Sequence, residues 1–120
     1  MHKLVILIDA AADTAEFHEL WPQFLSLAES MPGLQREATS RVNRVLVGGL
    51  RCFMIHELFF ADAPALQKAM TSPVGVQTGQ LLQHLTRGKV TLLTADHRED
   101  EGANLQKYRQ GPAEPPDPAS

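Results

Sequence analysis

The run Leu50–Phe60 constrains the fold more than any other part of this 120-residue chain. Aromatic and aliphatic residues dominate the run, as is typical of β-strands. Side chains alternate between the two faces of a strand, so the predicted faces are Phe53, Ile55 and Phe59 on one side and Met54, Leu58 and Phe60 on the other. Since both faces are apolar, the strand needs a cover on each side of its sheet.

Local signals also predict the elements before this strand. Lys3–Asp9 is rich in β-branched and aliphatic residues and is the predicted first strand. Asp13 and Glu16 have the spacing of a capping box, and apolar residues recur at helical spacing over 17–31, so a helix follows. Pro22 lies inside this helix and is expected to kink it or to separate its first turns.

A hairpin is predicted in the middle of the chain. Met31-Pro-Gly-Leu34 ends the first helix, because proline and glycine both break helices. A second strand is expected over 34–46, and Gly48-Gly49 favours a tight turn into the strand that follows. The two strands are therefore predicted to be antiparallel.

The last elements are a two-piece helix and a strand. Asp62 is the predicted N-cap of a first piece over Ala63–Met70, and Ser72-Pro73 restarts the helix, since serine caps well and proline is tolerated in the first turn. Arg87-Gly88 closes the helix, and Lys89–Ala95 is the predicted fourth strand.

The predicted order β-α-β-β-α-β indicates an α+β, ferredoxin-like fold with a four-stranded antiparallel sheet and both helices on one face. The other sheet face then needs a second copy of the sheet, which predicts a homodimer through that face. We expect residues 1–96 to form this domain. Residues 97–120 are polar and proline-rich and are expected to form an extended tail, in which Leu105 and Tyr108 could dock on the dimer.

Composition narrows the partners and the compartment. The net charge of −3 argues against a nucleic-acid surface, which needs clustered lysine and arginine. The apolar run at the N-terminus is too short for a membrane span, so no membrane contact is expected. A lone cysteine, Cys52, suits a reducing compartment, and the cytoplasm is the expected location. No metal-ligand motif is present and no cofactor is predicted, although His18 or His84 leaves axial ligation of haem open.

Several stretches, in their order and spacing over residues 3–96, resemble the EthD family, named for a protein of ethyl tert-butyl ether degradation. They are Leu4-Val-Ile-Leu7, Met31-Pro-Gly-Leu34, Ser40-Arg-Val42, His56-Glu-Leu-Phe-Phe60, the helix from Ala63 to Ser72-Pro73, and Gly88-Lys-Val-Thr-Leu-Leu93. The resemblance implies a dimeric α/β barrel with a cavity between sheet and helices. Relatives on this fold include cofactor-free monooxygenases, muconolactone isomerases and haem-degrading enzymes, so the fold does not define one activity.

The chain departs from the family at one position. Family members commonly carry a histidine on the first helix, two residues before a proline. If the family pattern is aligned to this chain without gaps back from Pro32, the position of that histidine falls on Phe24. If the family's proline is matched to Pro22 instead, the position falls on Leu20. The acid/base chemistry that the resemblance implies therefore lacks its usual residue.

His56 is the candidate catalytic residue in this chain. Strand alternation places it on the Met54 side, where it would line the cavity and act as a base or bind a ligand. The alternative is a core histidine held by hydrogen bonds. Glu57 is predicted to point the other way, toward the dimer interface, and to pair with an arginine such as Arg41.

The predicted cavity holds a small, mostly apolar organic molecule, and the chemistry is oxidative or isomerase chemistry without a cofactor. The competing hypothesis is a non-catalytic binding or structural dimer module that has lost the family histidine. Gly75 and Gly79 weaken the last helix, and either close backbone packing or space for a ligand is expected to offset that cost. The residues predicted to bind the ligand are His18, Trp21, Phe24, Met54, Leu58, Leu82 and His84.

Overall fold

The computed structural model describes residues 1–100 and confirms the predicted fold class. Four antiparallel strands lie in the order β2-β3-β1-β4, with bounds β1 His2–Asp9, β2 Arg36–Arg41, β3 Cys52–Phe60 and β4 Val90–Asp96. Three α-helices connect them: α1 Ala15–Glu29, α2 Ala63–Thr71 and α3 Pro73–Thr86. The tail predicted from residue 97 falls mostly on residues 101–120, which lie outside the described residues together with Leu105 and Tyr108.

The core lies between the helices and one face of the sheet. In the register of β1 and β3, Ile6 is opposite His56 and Ile8 is opposite Met54, so alternate residues of both strands face the helices. The helices contribute side chains at helical spacing, among them Phe17, Phe24, Ala28, Leu66, Ala69, Leu82 and Leu85. All of these side chains are buried, as the periodicity of the sequence predicts.

The face predicted for Phe53 is wrong. The pairing of β1 with β3 shifts register between Ile8 and Asp9, and this irregularity interrupts the alternation of side chains at the start of β3. The ring of Phe53 meets the buried ring of Phe17 on α1 edge-to-face, with centroids 5.2 Å apart. Phe53 therefore packs with the helices, whereas Ile55 and Phe59 lie on the outer face as predicted.

The start of α1 differs from the predicted capping box. Thr14 is the N-cap, and its Oγ1 accepts a hydrogen bond from the backbone N–H of Phe17 at 3.2 Å. Asp13 instead lies 2.6 Å from the ring of His18. The predicted break at Pro22 is also absent, since α1 runs unbroken over Ala15–Glu29, with buried side chains on both sides of the proline holding it to the sheet.

The observed β2–β3 hairpin has shorter strands and a longer loop than the sequence predicts. β2 ends at Arg41, and the last backbone bond beyond it joins the N–H of Val42 to the carbonyl of Phe53. Residues 42–51 form a connection that leaves the sheet, with Gly48 at φ +105°. The apolar residues of this connection therefore lie outside the core.

The outer face of the sheet, away from the helices, is half-exposed and largely apolar. Val5, Leu7 and Ile55 are its central apolar residues, and each is partly accessible. Glu57 lies among them, as predicted, but its partner is Lys3 at 2.5 Å and not Arg41. Lys3 is the residue that the β1 register brings next to Glu57 on this face, whereas Arg41 lies opposite Met54.

Candidate functional site

A cavity of about 190 Å³ lies where α1 and α3 meet the sheet. Its open side is bordered by exposed residues of α3 and β4, including Val76, Gly79 and Leu92. Among the residues singled out from the sequence, the cavity wall includes Phe24, Leu58 and Leu82. Its remaining wall is formed by Leu4, Ile6, Met31, Met70, Gly75 and Thr78. The site is thus an apolar recess that opens at the sheet edge.

The two glycines of α3, Gly75 and Gly79, have different surroundings. A Cβ at Gly75 would lie 2.0 Å from the carbonyl oxygen of Ala69, so this glycine is required where α2 and α3 pack closely. A Cβ at Gly79 would meet no atom within 4 Å. Glycine in a helix interior costs about 1 kcal/mol relative to alanine, and packing does not explain that cost at Gly79. Gly79 instead leaves the mouth of the cavity open.

Thr78 is the polar side chain of the cavity wall. Its hydroxyl donates a hydrogen bond to the carbonyl of Val74 at 2.6 Å, so the hydrogen is already used. The oxygen retains a lone pair that can accept. The wall is therefore suited to an apolar molecule that carries at most one hydrogen-bond donor.

A second cluster of polar groups surrounds His56, beneath α1. His56 is fully buried, and its Nε2 lies 3.0 Å from Oε2 of Glu37 while its Nδ1 lies 2.8 Å from Oγ1 of Thr39. Glu37 and Thr39 are on the helix-facing side of β2, and Glu29 at the end of α1 shares a hydrogen bond with Glu37. With neutral His56, Nε2–H donates to Glu37 and the hydroxyl of Thr39 donates to Nδ1, which satisfies the ring.

The protonation of this cluster is inverted relative to free side chains. Burial raises the pKa of Glu37, and the hydrogen bond and negative charge of Glu29 act in the same direction, so that together they move it from 4.5 to about 7. Burial lowers the pKa of His56 from 6.5 to about 4, although the charges of Glu57 and Glu29 oppose that shift. Between about pH 4 and pH 7 the ring is therefore uncharged, and the exchangeable proton is on the carboxyl group.

Aromatic rings separate the cluster from the cavity. Trp21 meets the ring of His56 edge-to-face at 5.2 Å, and Phe24 meets it at 5.9 Å. Phe24 also lines the cavity, whereas His56, Trp21 and Met54 are absent from its wall. Of the predicted residues, the recess thus brings together Phe24, Leu58 and Leu82, while His56 lies behind the ring of Phe24.

The other two histidines predicted near the ligand lie at the surface. His18 is bound to Asp13 through its Nε2 and is about half exposed. His84 lies on the outer side of α3, 3.4 Å from Glu16, and does not approach His56. Residues 1–100 contain no group of three or more histidine, cysteine, aspartate or glutamate side chains placed to bind a metal ion. Within the same residues, each helix is too short or too polar to span a membrane.

Glu37, Thr39 and Glu29 were not identified from the sequence. β2 is short and mostly exposed, and its alternation is weak, so its pairing with β3 could not be fixed from the pattern. The register that sets Thr39 opposite His56 and Glu37 opposite Leu58 depends on where the connection of residues 42–51 ends. A usable signal was present, because a fully buried histidine requires polar partners on a neighbouring strand.

The sheet order, the helices on one face and the recess between them define a ferredoxin-like α+β protein. The sequence matches no protein-family model, and no curated protein matches it significantly. Solved structures do match, and several are described as dimeric ferredoxin-like proteins. One of these, of unknown function, from Jannaschia sp., has a TM-score of 0.60 at 16% identity, over 80% of this chain and 98% of its own.

The particular relatives include an EthD family protein. This protein, from Bacillus halodurans, has a TM-score of 0.74 and 23% identity, and the match covers 82% of this chain and 99% of that one. SnoaB from Streptomyces nogalater, a cofactor-independent oxygenase, has a TM-score of 0.58 and 15% identity, over 84% of this chain and 94% of its own. The structure therefore resembles the EthD family as the sequence predicted, and at these identities the likeness establishes the fold.

Proposed function

We propose that this chain is an EthD-like protein that binds a small, mostly apolar organic molecule in the recess between α1, α3 and the sheet. The observation that carries the proposal is Gly79. A glycine in the middle of a helix weakens the helix, and here the missing side chain leaves open the mouth of an apolar cavity. A chain that needed the helix alone would gain stability from alanine at this position.

The recess limits the size and chemistry of the ligand. Its volume of about 190 Å³ exceeds the roughly 150 Å³ of an apolar protein cavity that takes up benzene. A single ring with one or two small substituents fits this space. The free lone pair of Thr78 suits a phenol or an alcohol, because one hydroxyl donor would be satisfied there.

The test is to close the recess without disturbing the core. Gly79→Leu places a side chain at the mouth and removes a helix-weakening glycine, so the variant should fold at least as stably as the wild type. Binding of toluene and p-cresol, followed by isothermal titration calorimetry, should fall at least about 10-fold. Gln80→Leu, at the next exposed position, is the matched control and should bind both probes normally. Equal binding by the Gly79→Leu variant and the wild type would remove the recess as the site.

A second candidate function is proton transfer by the cluster around His56. The raised pKa of Glu37, about 7, favours it, because a carboxyl group whose pKa lies near neutral pH is typical of catalytic sites. The oxidative or isomerase chemistry of this hypothesis needs no cofactor. The ring of Phe24 lies between His56 and the recess, so binding without chemistry is the better-supported function.

Ligand turnover separates the two functions. A ligand recovered with the purified protein and identified by native mass spectrometry would be incubated with wild-type protein and with His56→Gln. Conversion by the wild type alone would establish catalysis through His56. A ligand that remains unchanged in both samples would leave a binding protein.

The outer sheet face supports the proposal of a homodimer. Val5, Leu7 and Ile55 are apolar and partly accessible in the single chain, and a second sheet packed on them would complete a two-sheet barrel. The central pair of Lys3 and Glu57 is already neutralised within the chain and can be buried with its charges compensated. A cytoplasmic location is part of the same proposal.

A further inference from the structure

The connection between β2 and β3 holds four of the eight large apolar side chains that are exposed among the described residues. We call residues 42–51 the arm. Leu46 is 79% exposed, Val47 is 91% exposed and Leu50 is 54% exposed, and Val45 is also exposed. Four exposed large apolar side chains within six residues concentrate apolar surface in one segment, as is typical of an interaction surface in soluble proteins.

The charges of the arm have one sign. Between Glu37 and Glu57 the sequence has three arginines, Arg41, Arg44 and Arg51, and no acidic residue. Among residues 1–100, the arginines in ion pairs are Arg36 and Arg87, and none of the three around the arm is paired. Within the described residues, the arm therefore carries positive charge that no carboxylate of the same chain compensates.

The arm is continuous with the outer face of the sheet. Gly49, Leu50 and Arg51 form one wall of an open cleft of about 520 Å³. The opposite wall includes Leu7 of β1 and Thr91 of β4, which pair with each other and point to the outer face. Anything that docks on the outer face beside Leu7 must therefore meet the arm.

We infer that the arm clasps a second copy of this chain, with Leu46, Val47 and Leu50 packed on the outer face of the partner and the cleft filled by the partner's own chain. The inference rests on the proposed sheet-to-sheet dimer. Twofold symmetry makes the contact reciprocal, so each arm covers the other protomer. A second copy suits this place better than a lipid surface, because the cleft joins the arm to the outer sheet face on which the proposed partner packs.

Analytical ultracentrifugation of the full chain tests the assignment. The double variant Leu46→Ser and Val47→Ser should raise the dimer dissociation constant on the order of 100-fold, since two apolar side chains are lost from each of two arms. Asn43→Ser changes the same arm without removing apolar surface and should leave the constant unchanged. Circular dichroism checks that each variant is folded.

The outcomes separate the arm from the dimer. A wild-type monomer at high concentration would refute the sheet-to-sheet dimer itself. A dimer that the double variant leaves equally tight would refute the role of the arm alone. Binding of the wild type to phosphatidylserine vesicles, lost in the double variant while the dimer persists, would replace the second copy with a membrane.

A photo-crosslink locates the contact. A maleimide-benzophenone label on Val47→Cys should react selectively, because the native Cys52 is buried. Illumination of a mixture of isotopically light and heavy protein should give mixed crosslinks to residues near Leu7 and Leu93 on the outer face. Crosslinks confined to single chains would overturn the inference.

Discussion

Replacing Glu37 by glutamine should change how stability depends on pH, because folding raises the pKa of Glu37 and lowers the pKa of His56. Removing the carboxyl leaves the shift of His56 in place, since its causes are burial and the charges of Glu57 and Glu29. The shift of Glu37 likewise has burial and Glu29 as its causes. Burial, the largest cause of each shift, therefore persists when the other group is replaced.

The direction in which His56 makes the free energy of unfolding depend on pH follows from its lowered pKa. Between pH 6.5 and 4 the unfolded chain binds a proton on His56 that the folded chain does not, so the free energy of unfolding falls as pH falls. A shift from 6.5 to about 4 corresponds to about 3 kcal/mol at 1.36 kcal/mol per pKa unit. The whole loss lies within that pH window.

Glu37 acts in the other direction. Between pH 4.5 and 7 the folded chain keeps a proton that the unfolded chain has lost, so the free energy of unfolding falls as pH rises. About one fifth of the side chain is exposed, and solvent screening reduces the effect to about 1–2 kcal/mol. The two slopes oppose each other over pH 4.5–6.5 in the wild type, and Glu37→Gln leaves the slope of His56 alone.

The assay is urea unfolding followed by the fluorescence of Trp21, the single tryptophan, which contacts His56. Measurements at pH 4.5, 5.5, 6.5 and 7.5 use one protein concentration, because a dimer makes stability depend on concentration. Glu37→Gln should gain about 1–2 kcal/mol relative to the wild type as pH rises from 4.5 to 7. Glu19→Gln, on an exposed face of α1, controls for the loss of a carboxyl. Parallel curves for Glu37→Gln and the wild type would refute the inverted protonation of the cluster.

Five further substitutions, in three experiments, test the local structure. Gly75→Ala should destabilise the protein by more than about 2 kcal/mol through a backbone clash, whereas Gly79→Ala should stabilise it by about 0.5–1 kcal/mol, as urea unfolding would report. Thr14→Ala should cost about 1 kcal/mol and Asp13→Ala clearly less, and equal losses would return the cap to Asp13. Phe24→Ala should enlarge the recess toward His56 and admit two-ring probes such as naphthalene, at a cost of about 3–5 kcal/mol in stability.

The fold could be predicted from the sequence because its strongest signals are local. The period-2 run in β3, the helical stripe of α1 and the restart at Ser72-Pro73 each fix one element and its buried side. The exceptions arise where two segments meet. The register shift opposite Asp9 turned Phe53 to the helix side, and the pairing of β2 ended at Arg41 because the residues after it leave the sheet.

The site was predicted only in part, for the same reason. Phe24, Leu58 and Leu82 line the recess because each lies on a periodic apolar face whose direction the sequence shows. The partners of His56 come from β2 and from the end of α1, so they depend on register and on tertiary packing. Periodicity places a residue on a face, but it does not identify the neighbours it meets there.

If the recess binds a ligand as proposed, Gly79 also bears on how long that ligand stays. A glycine at the mouth of the recess lowers the free energy of local opening in the middle of α3 relative to alanine, since glycine gains the most backbone freedom when the turn opens. Escape of a bound molecule through this mouth then needs at most a local opening of one helical turn instead of unfolding of the core. The same residue that leaves room for the ligand would thus set its residence time, and amide exchange around Gly79 would report the gate.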